Sequence, residues 1–86
     1  MTELLVFKQR LCIECGPYIR RLRKAAETRD IVVREIDVDT PAGRQAAQQL
    51  QVKSVPSTFM LVDGRVKQAC GWAMTSKAIE AWIDGD

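Results

Sequence analysis

Two cysteines three positions apart are the residues of this chain best suited to chemistry. Cys12 and Cys15 form a C-x-x-C motif soon after the apolar run at residues 4–7. Two thiols at this spacing in the first turn of a helix can close a small disulfide ring, and the positive end of the helix favours the thiolate form. The motif therefore predicts dithiol redox chemistry, although the same spacing also forms half of many zinc sites.

The rest of the composition argues against zinc. The chain has no histidine and only one further cysteine, Cys70, so a four-ligand site would need carboxylates or a second chain. An odd count of three cysteines suits a catalytic pair plus one bystander in a reducing compartment. We expect Cys70 to pack as a small hydrophobic residue. We expect no metal, and a structural thiol pair is the alternative to a redox dithiol.

The overall composition predicts one small domain with a mixed surface. The 86 residues are 47% apolar, which is enough for one core, and their formal net charge is +2. This charge is too small to indicate nucleic acid or an acidic membrane surface as the main partner. No apolar run reaches membrane-spanning length, and the first residues do not resemble a signal peptide. We expect a single domain over residues 1–86, a monomer, no nucleic-acid or membrane partner, and a cytoplasmic location.

The elements around the motif are predicted from apolar spacing. Residues 4–7 form a continuous apolar run typical of a central strand, and residues 31–38 are rich in β-branched residues typical of a second one. Between them, apolar residues recur at helical spacing to about Arg29, with cationic residues on the other face. Pro17 predicts either a kink or a helix that begins nearer Glu14. These elements form a right-handed βαβ unit with parallel strands.

The second half predicts a helix, a hairpin and a last helix. Asp39 or Thr40 can cap a helix over residues 41–50, which Gly43 weakens slightly. Strands at residues 58–62 and 65–70 meet across an Asp63-Gly64 turn. The last helix is capped by Thr75 or Ser76, and its buried stripe contains Ala78, Ile79, Trp82 and Ile83.

The order β-α-β-α-β-β-α resembles the thioredoxin and glutaredoxin superfamily over the full length. Three features carry the resemblance together: the C-x-x-C after the first strand, Val55-Pro56 before the third strand, and Asp63-Gly64 followed by Gly71. The resemblance implies a compact α/β fold in which a four-stranded mixed sheet is flanked by helices. It also implies a cis Val55–Pro56 bond facing the two cysteines, which exposes the Val55 backbone for pairing with a substrate strand.

The segment after the fourth strand indicates the branch of the superfamily. Glutaredoxins bind glutathione with a Gly-Gly pair followed by Asp, whereas Cys70, Gly71 and Trp72 stand in that region here. This segment looks more like the redoxins that reduce ribonucleotide reductase and are reduced by thioredoxin reductase. The chain departs from thioredoxins at two positions. Leu11 stands where thioredoxins have a tryptophan before the dithiol, and Val6 stands where they have a buried acid.

The resemblance implies a protein-disulfide reductase and electron carrier. Cys12 would be the nucleophile and Cys15 the resolving thiol, with the dithiol itself as the redox group and no other cofactor. Partners would be disulfide-containing proteins and thioredoxin reductase or a similar flavoprotein. The substrate contacts implied are Val55, cis Pro56, Tyr18, Gly71 and Trp72. Tyr18 is expected half in the core and half at the rim, and Trp72 either lines the groove or covers the sheet.

Charged residues near the motif should tune the Cys12 thiol. A free thiol has a pKa of about 8.5, which Lys8 or Arg10 would lower and the negative charge of Glu14 would raise. We therefore expect Glu14 to make the protein more reducing. The alternatives are a glutathione-dependent glutaredoxin and a binding module that kept the fold without turnover. A shared iron–sulfur cluster, which some glutaredoxins form, is not expected because the glutathione pattern is missing.

Overall fold

The computed structural model describes residues 1–85. In this part of the chain four strands and three helices follow one another in the predicted order βαβαββα. The strands are β1 (Thr2–Lys8), β2 (Val32–Asp37), β3 (Ser57–Val62) and β4 (Arg65–Cys70), and the helices are α1 (Cys15–Glu27), α2 (Pro41–Gln49) and α3 (Ser76–Asp84).

The strands form one mixed sheet in the order β2-β1-β3-β4. The pair β1 and β2 is parallel, as the βαβ prediction requires, whereas β3 pairs antiparallel with both β1 and β4. Residues 4–7 of β1 are all buried, because α-helices cover both faces of this strand. The prediction of a central first strand is confirmed.

Alternation along β1 divides the core into two halves. Leu4 and Val6 pack with residues of α1 and α3, whereas Leu5 and Phe7 pack with Ala47 of α2. Phe7 also meets Phe59 edge to face, with ring centroids 5.6 Å apart. The sheet therefore lies between α1 and α3 on one side and α2 on the other.

Helix α1 begins later than a cap at Cys12 would require. Glu14 is the N-cap residue, and the Tyr18 N–H donates to the Glu14 carbonyl at 3.1 Å. Pro17 is thus the third helical residue, where an N–H would have no partner inside the helix, so no hydrogen bond is lost. The start near Glu14 is confirmed and the kink is not needed. The helix ends at Glu27, two residues short of the predicted Arg29.

Helix α2 shows why its glycine is present. Thr40 caps the helix by accepting a hydrogen bond from the Gly43 N–H at 3.0 Å. A Cβ atom on Gly43 would lie 1.8 Å from the Asp37 carbonyl oxygen, closer than any two such atoms can approach. Besides its low helix propensity, Gly43 therefore has a packing role, because the end of β2 lies directly against it.

Turn chemistry closes the second half as predicted. Asp63 and Gly64 have φ values of 53° and 83°, the left-handed conformation that a two-residue hairpin turn requires. The Thr75 hydroxyl accepts from the Ala78 N–H at 3.2 Å and caps α3. Ile79 is fully buried, and Trp82 and Ile83 are partly buried against the same cluster. Ala78 is exposed, so the predicted buried stripe is wrong at this position.

Candidate functional site

Strand pairing brings the predicted site segments to one end of the sheet. The dithiol loop follows β1, and Pro56 immediately precedes β3. Because β1 and β3 are antiparallel, Phe7 near the end of β1 lies opposite Ser57 at the start of β3. The loop with the cysteines and the turn with Pro56 therefore lie at the same end of the sheet. The Val55–Pro56 bond is cis, as the resemblance implies.

A third segment, which follows β4, lies at the same end of the sheet. Cys70, its last residue, lies opposite Thr58, so Gly71 leaves the sheet beside the Pro56 turn. The Ser54 hydroxyl donates to the Gly71 carbonyl at 3.1 Å and joins the two segments. Trp72 follows with 69% of its surface exposed, so it does not cover the sheet.

The two cysteines form a disulfide and differ in accessibility. Their Cα atoms are 5.4 Å apart. Cys15 is the first residue of α1 and only 3% exposed, whereas Cys12 lies outside the helix and is partly exposed. A substrate approaching from solvent therefore reaches the Cys12 sulfur first, and Cys15 lies behind it.

The accessible cysteine has exposed large apolar residues on both sides of it in the chain. Leu11 and Ile13, its two neighbours in the chain, are 88% and 92% exposed. Together with Trp72 they account for three of the six large apolar residues that are exposed among residues 1–85. Exposed apolar side chains on segments that leave the same end of the sheet are typical of a surface that binds another protein.

A cleft of about 530 Å³ is lined by both cysteines and by residues at the ends of β1 and β2. Its wall contains an ion pair in which the Lys8 ammonium is 2.8 Å from one Glu35 oxygen. Arg23 of α1 contacts the second oxygen at 2.6 Å. The pKa of Glu35 is lowered, mainly by the hydrogen bond from Lys8 and to a smaller extent by the one from Arg23. Because Glu35 forms an ion pair with Lys8, its negative charge opposes the expected influence of Lys8 on Cys12.

The other two residues predicted to tune the thiol are at the surface. Arg10 is exposed, and its backbone N–H is 3.5 Å from an Asp39 carboxylate oxygen. Glu14 is exposed at the N-cap of α1, and its side chain makes no capping hydrogen bond. Its charge is therefore placed at the helix end that carries Cys15.

Tyr18 lies deeper than predicted. Its side chain is fully buried, and its hydroxyl is 2.7 Å from the Thr58 hydroxyl. Burial raises the pKa of Tyr18 to about 12, partly offset by the hydrogen bond with Thr58. The expectation that half of this ring lines the rim is wrong, because α1 turns the ring onto the sheet. A buried ring is not available for substrate contact.

Buried polar groups near the site are few. Val6, which the resemblance aligns with a buried acid, is fully buried. Ser57 and Thr58 are the only buried polar or charged residues in the described chain. Cys70 is 4% exposed and lies in the core, as expected. Among residues 1–85 no three His, Cys, Asp or Glu side chains are grouped as metal ligands, and no helix has the length and apolarity to cross a bilayer.

Comparison of the whole structure identifies the fold. Thioredoxin-2 of the malaria parasite superposes with a TM-score of 0.87 at 19% identity, covering 100% of this chain and 84% of that one. A mutant thioredoxin from Halobacterium salinarum gives 0.87 at 24% identity over 98% and 73% of the two chains. Oxidised thioredoxin O2 from Arabidopsis thaliana gives 0.84 at 15% identity over 99% and 74%.

These similarities, all below 25% sequence identity, concern the fold. The chain has the thioredoxin fold, with a disulfide at its C-x-x-C motif. No protein-family model and no curated protein sequence matches the chain. The resemblance seen in the motifs is thus supported by the three-dimensional structure rather than by overall sequence identity.

Proposed function

We propose that this protein is a thiol-disulfide oxidoreductase that reduces disulfide bonds in other proteins. The observation that carries the proposal is the Cys12–Cys15 disulfide, in which one sulfur is accessible and the other is buried at the start of α1. A helix N-terminus stabilises a thiolate, and an adjacent second thiol can resolve a mixed disulfide. Cys12 is the nucleophile and Cys15 is the resolving residue.

The reaction transfers two electrons to the substrate. In the reduced protein the Cys12 thiolate attacks one sulfur of the substrate disulfide, and the other substrate sulfur leaves as a thiolate and takes up a proton. Cys15 then loses its proton and attacks Cys12, which releases the second substrate thiolate. The product on the protein is the Cys12–Cys15 disulfide. A thioredoxin reductase or similar flavoprotein returns two electrons and restores the dithiol.

The surface beside Cys12 favours a protein substrate. The exposed side chains of Leu11, Ile13 and Trp72 provide apolar contact area around the reacting sulfur. The N–H and carbonyl of Val55 make no backbone hydrogen bond within the described chain, and Val55 lies two residues before the start of β3. An extended substrate segment can pair with them as a short additional strand.

The proposed setting follows from the same chemistry. Substrate thiols are generated by a reductase-driven cycle in a reducing compartment, for which we propose the cytoplasm. The dithiol is the redox group, so the cycle requires no resident cofactor. We propose that the chain works as a monomer, because one copy supplies both cysteines and the surface around them.

The test is reduction of insulin disulfides coupled to NADPH consumption. One reaction contains thioredoxin reductase, and a second contains glutathione and glutathione reductase. We expect turnover with thioredoxin reductase, and none with the Cys12→Ser variant. Turnover only with glutathione would assign the protein to the glutaredoxins. Absence of turnover in both reactions, together with failure of chemically reduced protein to reduce insulin in one cycle, would reject the proposal.

A further inference from the structure

The segment at residues 71–74, which joins β4 to α3, is held in place by side chains. No backbone hydrogen bond among the loops and turns of residues 1–85 involves these four residues. Instead, the Ser54 hydroxyl donates to the Gly71 carbonyl at 3.1 Å, and the Cys70 thiol lies 3.6 Å from the Trp72 carbonyl. Ser54 lies in the loop before β3, and Cys70 is the last residue of β4.

The third contact comes from the helix that carries the dithiol. Arg21 of α1 donates from Nε and from Nη2 to the Met74 carbonyl, at 3.2 and 3.0 Å. Its guanidinium also lies over the ring of Tyr18, 5.7 Å from the centroid. Because Tyr18 is fully buried and bonded to Thr58, the ring gives the guanidinium a fixed support.

The neighbouring cations of α1 have other surroundings. Arg20 and Lys24 are exposed and make no side-chain hydrogen bond or ion pair in the described part of the chain. Arg23 contacts Glu35 on β2. Arg21 alone in this run joins α1 to the 71–74 segment. A planar guanidinium that donates twice to one carbonyl restrains direction as well as distance.

We infer that Arg21 is a positioning residue that fixes the 71–74 segment against α1 and thereby holds Trp72 in place beside the dithiol for binding of protein substrates. Arg21 lies six residues after Cys15, about 9 Å along the helix axis, so it does not take part in the sulfur chemistry. The inference rests on the proposed function, because it names a determinant of substrate affinity for the same site.

The inference separates two kinds of substrate. A protein disulfide contacts Trp72 as well as Cys12, so its KM depends on the position of the 71–74 segment. A small aromatic disulfide such as dithiobis(nitrobenzoate) reaches Cys12 without needing that contact. Loss of the Arg21 contact should therefore raise KM for insulin while leaving kcat and the rate with the small disulfide unchanged.

The experiment compares Arg21→Gln with Arg20→Gln, which removes the same charge from the adjacent exposed position. We expect Arg21→Gln to raise KM for insulin about three- to tenfold, the size of a typical net hydrogen-bond contribution, because the lost contact holds the segment and does not touch the substrate. Arg20→Gln should change it less than about twofold, as expected of an exposed position without such bonds. Arg21→Lys keeps the charge and one donor direction, so it should give an intermediate KM. An equal fall in the rate with both substrates would overturn the inference, because it would indicate a general structural defect.

A second measurement does not depend on activity. Amide hydrogen exchange of residues 71–74 should be faster by about tenfold in Arg21→Gln than in the wild type, and unchanged in Arg20→Gln, since local opening reports the contacts that hold a segment. Equal exchange in the two variants would reject the positioning role. If the wild type reduces no disulfide, the proposed function fails, whereas the exchange result still decides whether Arg21 fixes the segment.

Discussion

The hydroxyl groups of Tyr18 and Thr58 are 2.7 Å apart in the core and join the dithiol helix to the central region of the sheet. Both side chains are fully buried, and Thr58 lies opposite Val6 in the β1–β3 pairing. Each hydroxyl therefore depends on the other for its hydrogen bond. This contact joins α1 to β3 close to Cys15, which is three residues before Tyr18 in the same helix.

Tyr18→Phe tests the contribution of this hydrogen bond to stability. The change leaves the Thr58 hydroxyl buried without its partner, so the free energy of unfolding should fall by about 1–3 kcal/mol. Replacing both groups, in Tyr18→Phe with Thr58→Val, should cost less than the sum of the two single changes, because no polar group is then left unpaired. Urea denaturation of the wild type, the two single variants and the double variant measures this coupling. Strict additivity would show that the two hydroxyls act independently.

The titration of Tyr18 is a separate prediction, and it is accessible because the chain has a single tyrosine. Tyrosinate absorbance of the folded protein should appear near pH 12, compared with about 10 in denaturant. The neutral phenol is favoured by burial in the folded state, so the unfolded chain loses this proton first as pH rises. Wild-type stability should then decrease between about pH 10 and 12 relative to Tyr18→Phe. Titration near 10 in the folded protein would contradict the buried position.

Apolar spacing and turn residues were enough to predict the elements, the parallel pair of β1 and β2 and the hairpin of β3 and β4, but not the pairing of β1 with β3. The run at residues 4–7 predicted a buried central strand, and the Asp63-Gly64 pair predicted the hairpin. The resemblance supplied the cis bond before Pro56, which composition does not reveal. Helical spacing placed Tyr18 on the inner face of α1 but did not give its depth, because depth depends on the sheet beneath it.

The side-chain contacts around the site were not predictable from the pattern. Arg21 contacts the carbonyl of Met74, 53 positions later in the chain, and a run of four cations gives no sign of which one does so. The pairing of Lys8 with Glu35 likewise depends on the register between β1 and β2. Local composition predicts elements, whereas these contacts are set by how the elements pack.

Gly43→Ala should destabilise the protein although alanine is the better helix former. The new Cβ would meet the Asp37 carbonyl at 1.8 Å, so backbone must move, at a cost of about 1–3 kcal/mol. Gly16→Ala is the matched control in the first turn of α1, where the nearest atom is Arg20 Nη1 at 3.8 Å. That change should be neutral or stabilise by up to about 1 kcal/mol. Thermal or urea unfolding of both variants decides the matter, and equal stabilities would disprove the close approach.

The charge of Glu14 should make Cys12 a weaker nucleophile than the same motif with a neutral residue there. Glu14 is exposed at the N-cap of α1, two positions from Cys12, so its charge acts through solvent and the interaction is modest. Glu14→Gln removes this repulsion, which favours the Cys12 thiolate and shifts the equilibrium potential of the dithiol to a less reducing value.

The measurement is the pH dependence of iodoacetamide alkylation of Cys12 in the reduced protein. Glu14→Gln should raise the alkylation rate at pH 7 by roughly a factor of two, as expected for one unit charge at short distance in water. Glu27→Gln, at the exposed far end of the same helix, is the matched control and should leave the rate unchanged. The difference between the two variants should shrink as salt is added, because the charge on Glu14 is exposed and screened. A rate that is equal or lower in Glu14→Gln would mean that this carboxylate does not oppose ionisation of the thiol.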